Sequence, residues 1–410
     1  MRAGIRMLEL YHRFLHANVT FHGDLAFVNT WNFFMPDPGA RLDNLVPVGP
    51  YAGTLEAFHT GIKLRTRYES LVEEAVALGQ TNLWASGSKR VEETAKYFAA
   101  GLYGLNWTNI ATLHVIPETM DLGADTLTPG DTCTAYRDNI DDFGHDYGYH
   151  KLNEWKATYL PPIASRLATL APEISFTIHE IYTMQEMCGF ETLARGNSPW
   201  CDLFTRSEWE HFEYARDLLH FYRAGAGNRY GPTMGWLYLN ATTELLMSDP
   251  EDVGRLFFSF AHDGDIVPFL AALALLPQLK PLPADRELKD RVWRTSEVVP
   301  MGGRVILERI ACPAPRSCWS NEPFYPNHVY CDPERDDYYV RINVNDGIVP
   351  LEDCDDGPGR SCPLHRFGEH VERRGRHVDD FRELCKLDDS APSRITFLKQ
   401  PLHKAHDITA

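Results

Sequence analysis

The sequence predicts an α/β fold: an α/β lobe with a mostly parallel central sheet, built from two separated segments, with an α-helical lobe inserted between them. Three observations predict it. Two short apolar runs, Thr81 to Ala85 and residues 255–260, each stop at a small polar or Gly-containing turn and lead into a helix-patterned stretch. The residues between them, about 125–245, read as mostly helical. Beyond the second unit, Arg304 to Arg309 and Tyr338 to Val344 have strand character. The α/β lobe is therefore expected at about 80–120 and 250–350 and the helical lobe at about 125–245, with a polar, Gly-rich segment at 351–410 that wraps the surface.

Each element has a local reason. Residues 5–16 and 53–79 carry helical patterning on either side of an aromatic, Pro-containing loop. After the strand at Thr81, Ser86-Gly87-Ser88 forms a turn. The helix from Arg90 to Leu105 then sets Val91, Ala95, Phe98 and Leu102 on one face. His114 to Pro117 is a further strand. In the helical lobe Trp209, Phe212, Leu218 and Phe221 share a core face. The strand 255–260 ends at His262-Asp263-Gly264-Asp265, and an Ala/Leu-rich helix over 266–276 follows with Pro268 near its first turn. Tyr338, Val340, Ile342 and Val344 line one face of a strand that could pair with Arg304–Arg309 as a hairpin across an irregular loop at 312–336.

At 410 residues and 44% hydrophobic composition the chain can bury a large core. Its formal charge of −17 argues against a nucleic-acid or anionic-membrane partner, which would call for clustered Lys and Arg. A small phosphorylated substrate needs only a few local cations. No apolar run approaches the roughly 18–20 residues of a membrane span. The start, Met1-Arg-Ala-Gly-Ile-Arg, lacks the apolar core of a signal peptide and reads as a helix already under way. Yet there are nine Cys without a Cys-x-x-Cys, and acceptor sequons at Asn18, Asn106 and Asn240. Disulfides formed in an oxidising compartment fit these cysteines better than zinc does, and the odd count leaves one unpaired.

The two strand–turn–helix units carry the candidate chemistry. In a parallel sheet their ends open on the same edge, so Arg90 would face His262 and Asp263 across a crevice. An Arg fork suits phosphate oxygens, a His adds a donor, and an Asp can protonate a leaving alkoxide. Taken alone, Arg90 reads as a solvated first-turn residue and His262-Asp263 as an ordinary cap. Together they favour an anion site. Asp263-Gly-Asp265 also fits the pattern of magnesium-dependent aspartyl phosphatases, with Asp263 as nucleophile and Asp265 as acid/base, although such a motif usually opens its domain. Gly225-Ala-Gly227 follows a helix and reads as a helix stop. His365, His370 and His377 lack metal-ligand spacing, and no metal or cofactor is implied.

With these residues placed, the sequence resembles the histidine acid phosphatases of the phosphoglycerate-mutase-like superfamily, most closely the fungal phytases and acid phosphatases. The resemblance runs through Gly49-Pro-Tyr-Ala-Gly, Ala85-Ser-Gly-Ser-Lys-Arg90-Val, Met187-Cys-Gly-Phe-Glu, Cys201-Asp-Leu-Phe-Thr, Glu208-Trp209, Gly231-Pro-Thr, His262-Asp263-Gly-Asp-Ile266 and Pro300-Met-Gly-Gly. It implies phosphomonoester hydrolysis through a phosphohistidine, phytate being one candidate substrate. Arg90 and His262 would be phosphate ligands, Asp263 the proton donor, and no metal would be needed. It also implies the pairs Cys133–Cys385, Cys188–Cys201 and Cys354–Cys362, and a secreted glycoprotein. Cys318 and Cys331 could pair without family precedent, leaving Cys312 alone.

The family's nucleophile motif, Arg-His-Gly-x-Arg-x-Pro, does not occur in these residues. His12 and His16 fall inside a helical pattern, and His22 follows Phe21 rather than Arg. The expectation is an N-terminally truncated sequence without turnover of its own, or else a non-catalytic binder of phosphorylated ligands. Where phytate-specialised relatives carry adjacent Lys, this chain has Leu219-His220, and Asp265 replaces an Asn. Both departures point to a broader phosphomonoesterase.

Overall fold

In a computed structural model of the chain, the described residues are 2–35, 37, 48–278, 280–314, 318, 319, 330, 331 and 336–401. Helix α1 (Arg2–His16) packs on the helical lobe. Helices α2 (Gly53–Arg67) and α3 (Glu69–Ala77) are one expected helix broken at Tyr68. Strand β1 (Asn82–Ser86), helix α4 (Lys89–Tyr103) and strand β2 (Thr112–Ile116) follow, and Val91, Ala95, Phe98 and Leu102 are all buried as their spacing requires.

After the short helices α5 (Pro129–Thr132) and α6 (Thr134–Arg137) come the long elements of the helical lobe: α7 (Tyr147–Leu170), α8 (Ile178–Arg195), α9 (Arg206–Arg223) and α10 (Gly231–Met247). Both α8 and α9 open with a Thr-x-x-Glu capping box, Thr177 with Glu180 and Thr205 with Glu208. The chain returns through α11 (Pro250–Val253) to β3 (Phe258–Phe260) and α12 (Asp263–Leu273). Strands β1, β2 and β3 form a parallel sheet in the order β2-β1-β3, with Ala85 opposite Phe260.

Two boundaries differ from expectation. The helix after β3 begins at Asp263 rather than 266, because the Asp265 carboxylate reaches back to accept from the His262 backbone N–H at 3.0 Å. Pro268 therefore lies inside the helix. β3 is also shorter than 255–260. Its ladder bonds run only to β1, from Leu83↔Phe258 to Ala85↔Phe260.

The rest of the α/β lobe is antiparallel. Past α13 (Thr295–Val298), β4 (Val305–Pro313) pairs with β7 (Asp336–Val344), Val305 opposite Val344, as the hairpin reading requires. Between them, β5 (Cys318–Trp319) and β6 (Tyr330–Cys331) form a two-residue ladder with Cys318 opposite Cys331; the side chains of that expected pair lie outside the described residues. β8 (Gly347–Ile348) and β9 (Cys362–Pro363) edge the second sheet. The segment after 350 does more than wrap the surface: α14 (Leu364–Gly375) buries Phe367 and Val371 against α10 and α12, and α15 (Phe381–Cys385) buries Phe381 and Leu384. Among the described residues no helix is long and apolar enough to cross a membrane.

Candidate active site

Three strand ends converge on one edge of the parallel sheet, the position where α/β folds hold ligands. Arg90 is the second residue of α4, Glu118 follows β2 by two residues, and His262 and Asp263 are the cap and first residue of α12. A cation in a helix's first turn opposes the macrodipole, so helix stability does not explain Arg90. Its Nη2 is 3.0 Å from His262 Nδ1. The other ring nitrogen, Nε2, lies 2.9 Å from Glu118 Oε1. Glu118 is held below the usual carboxylate range, chiefly by that hydrogen bond.

Asp263 sits beside a second set of cations, carried by α9. Arg216 Nη2 is 2.9 Å from His220 Nε2, and that same nitrogen is 3.7 Å from Asp263 Oδ2. An arginine can only donate, so His220 accepts at Nε2 and is neutral there; burial first and Arg216 second push its pKa down. The guanidinium of Arg223 lies over Gly264, where a Cβ would come within 3.4 Å of Nη2. Burial opposes ionisation of Asp263, yet the Arg223 and Arg216 guanidiniums together hold its carboxyl well below the usual range. Asp265 goes the other way. Burial pushes it up to about 7 despite His262, and Asp131 on α5 adds to the rise.

Glu118 and Asp131 apart, these groups lie along a cavity of about 1580 Å³ with largely apolar walls. Residues Leu256 to Phe260 form one wall and Val305 to Leu307 another. The edge of β3 away from β1 has no strand partner among the described residues.

The structure thus brings Arg90, His262 and Asp263 together. His12, His16 and His22 do not line the cavity. His370 Nε2 instead bonds the Leu273 carbonyl and His377 Nδ1 the Arg373 carbonyl, and no metal-binding cluster occurs among the described residues. Disulfides join Cys133 to Cys385, Cys188 to Cys201 and Cys354 to Cys362, and Cys312 is free. Asn18 and Asn106 are exposed, whereas Asn240 is half-buried within α10 and donates to Glu244 at 2.8 Å. Sequence reasoning missed Glu118, Arg216, Arg223 and Asp131. The spacing of 216, 220 and 223 on α9 held a readable signal, three nitrogen-bearing side chains on the face that also carries Trp209 and Phe212. Leu219, beside His220, is buried in the core.

A family model described as the histidine phosphatase superfamily, branch 2, matches residues 6–345. A phytase of Candida albicans is 34% identical over 399 residues, covering 96% of this chain and 79% of its own length. An acid phosphatase of Komagataella pastoris is 32% identical over 403 residues, with 96% and 79% covered. The crystal structure of the phytase from D. castellii superposes with a TM-score of 0.82 at 29% identity, covering 96% of this chain and 80% of that one. The family expected from the residues around Arg90 and His262-Asp263 is therefore found across the chain, and the protein belongs to the histidine phosphatase superfamily, branch 2.

Proposed function

We propose that this site binds the phosphoryl group of a phosphomonoester and takes part in its hydrolysis through a phosphohistidine. The observation that carries the reading is the convergence of Arg90, His262 and Asp263 at the C-terminal edge of the parallel strands. Arg90 and His262 hold phosphoryl oxygens while Asp263 gives its proton to the departing alkoxide. The nucleophilic histidine is not among these residues. It is supplied by a strand seated in the apolar cleft between the free edge of β3 and β4, which would deliver it to the end of the cavity where the three side chains meet. Water then cleaves the phosphorus–nitrogen bond and regenerates the enzyme.

In the free site the surrounding cations keep Asp263 ionised. A phosphoryl dianion neutralises them and lets Asp263 take up the proton it must donate, which favours turnover at acid pH. The cations also argue against the aspartyl-phosphatase alternative: with two guanidiniums beside Asp263, a divalent ion would be repelled. The substrate range is broad and includes phytate, since Arg216 and Arg223 add positive charge beyond Arg90. The three disulfides support an extracellular location.

The test is reconstitution. The 410 residues alone should not hydrolyse p-nitrophenyl phosphate. The same chain preceded by a strand-forming segment bearing Arg-His-Gly-x-Arg-x-Pro should do so in the presence of EDTA, and Asp263→Asn should abolish most of that turnover. Hydrolysis by the unextended chain that Asp263→Asn stops would overturn the reading. Phosphate binding without turnover in the extended protein would leave a non-catalytic binder.

A further inference from the structure

We propose that Glu118 is a positioning residue that locks His262 in one tautomer and lets it accept a solvent proton at Nδ1 when a phosphoryl oxyanion arrives. The proposal rests on the phosphate-binding reading of the site and concerns a residue that is no part of the His-Asp or Arg90 motifs. A carboxylate can only accept, so His262 carries its hydrogen at Nε2, facing Glu118 at 2.9 Å. An arginine can only donate, so the bare Nδ1 accepts from Arg90 at 3.0 Å. In that state the ring has nothing to offer an anion.

When an oxyanion enters, the hydrogen bond from Arg90 Nη2 passes from Nδ1 to the anion. The freed Nδ1 binds one proton from solvent and donates it, as a hydrogen bond, to a second oxygen. The imidazolium so formed keeps its Nε2–H on Glu118, whose negative charge balances it. Geometry supports the assignment from both sides. Glu118 comes from the end of β2 and Arg90 from the start of α4, so the ring is clamped between two independent elements. Side-chain exposure is 17% for His262 and 28% for Glu118, which limits screening by water. The other charged groups acting on this ring are Asp131 on α5 and Asp265 on α12, and Arg223 on α9 acts in turn on both of those carboxylates.

Sulfate is the suitable probe, because it stays a dianion from pH 4 to 8 and every proton taken up belongs to the protein. Isothermal titration of the 410-residue chain in buffers of different ionisation enthalpy, at about pH 7.5, gives both affinity and proton uptake. Wild type should take up close to one proton per sulfate. Glu118→Gln, which keeps the shape and an acceptor oxygen, should lose most of the uptake and bind about tenfold more weakly. Glu118→Asp should recover part of both, which a folding defect would not. Asp263 takes up its proton only in the acid range, so at pH 7.5 Asp263→Asn, Asp265→Asn and Asp131→Asn should all keep the uptake, showing that the proton goes to His262. Unchanged uptake in Glu118→Gln, or loss of it in Asp263→Asn, Asp265→Asn or Asp131→Asn, would overturn the proposal. Failure of wild type to bind sulfate, or binding unaffected by Arg90→Ala, would instead remove the phosphate-site reading beneath it.

Discussion

Asp263 and Asp265 stand two residues apart at the start of one helix, and their surroundings drive them to opposite charge states. Cations on α9 keep Asp263 ionised, while burial with Asp131 nearby raises Asp265 to about 7. For Asp265 the folded chain holds a proton that the unfolded chain, with an ordinary carboxylate near 3.9, has already lost. Its contribution to stability is therefore fully present below about pH 4 and falls as pH rises toward 7, where the folded state must bury a charge. Asp265→Asn should flatten that decline, so thermal scans from pH 4 to 8 should show the variant gaining on wild type as pH increases. A parallel pH dependence in the two proteins would contradict the assignment. His262 and Asp263 were legible because they interrupt an apolar strand just before a helix. Glu118 was not, since 144 residues separate it from His262 and only the fold joins them. Arg216 and Arg223 were readable in principle, but the aromatic face of α9 drew the reading toward the core.

At the scale of elements, α2 and α4 cross at backbone contact. A Cβ on Gly101 would come 2.1 Å from the Phe58 carbonyl oxygen, and one on Gly61 would come 2.2 Å from that of Phe98. Because α4 presents Arg90, spreading this pair would also move that guanidinium away from His262. Gly101→Ala should destabilise by at least about 1–3 kcal/mol in urea unfolding. Gly189→Ala on α8, with nothing within 4 Å of the added carbon, should instead stabilise by up to about 1 kcal/mol. Equal effects of the two substitutions would show that the crossing is not tight. Helical periodicity announced the buried face of α4 residue by residue. It could not place the start of α12, because the Asp265 carboxylate that closes its first turn depends on side-chain geometry rather than on apolar spacing. The β4–β7 hairpin was legible from the strand character of Arg304–Arg309 and the alternation in Tyr338–Val344.

Across the molecule, two kinds of single connection tie residues far apart in sequence. Cys133–Cys385 closes a separation of 252 residues and Cys354–Cys362 one of 8. On loop-entropy grounds, removing the first pair as a double Ser variant should cost about 5 kcal/mol and the second about 2–3 kcal/mol. Denaturation midpoints in the opposite order would count against that account. Gln400 is a second long tie: its amide accepts from Asn82 N at 2.9 Å and donates to the Asn82 and Leu256 carbonyls at 3.1 and 2.6 Å. Gln400→Ala should cost roughly 2 kcal/mol or more, since it leaves three backbone groups at the sheet without this partner. The run of long helices between two strand–turn–helix units was visible in the sequence. The contribution of the last fifty residues to the core was hidden by their polar composition.

Gln400 also sets a timetable. A ribosome releases the helical lobe as one contiguous stretch, able to pack while synthesis continues. The parallel sheet has no such freedom, because β1 waits for β3 and both wait for a side chain 144 residues beyond Leu256. Until then the Phe-rich strand lies open to other nascent chains. A destabilised variant of this protein should thus fail first during production, as lost yield, before any defect shows in the purified molecule.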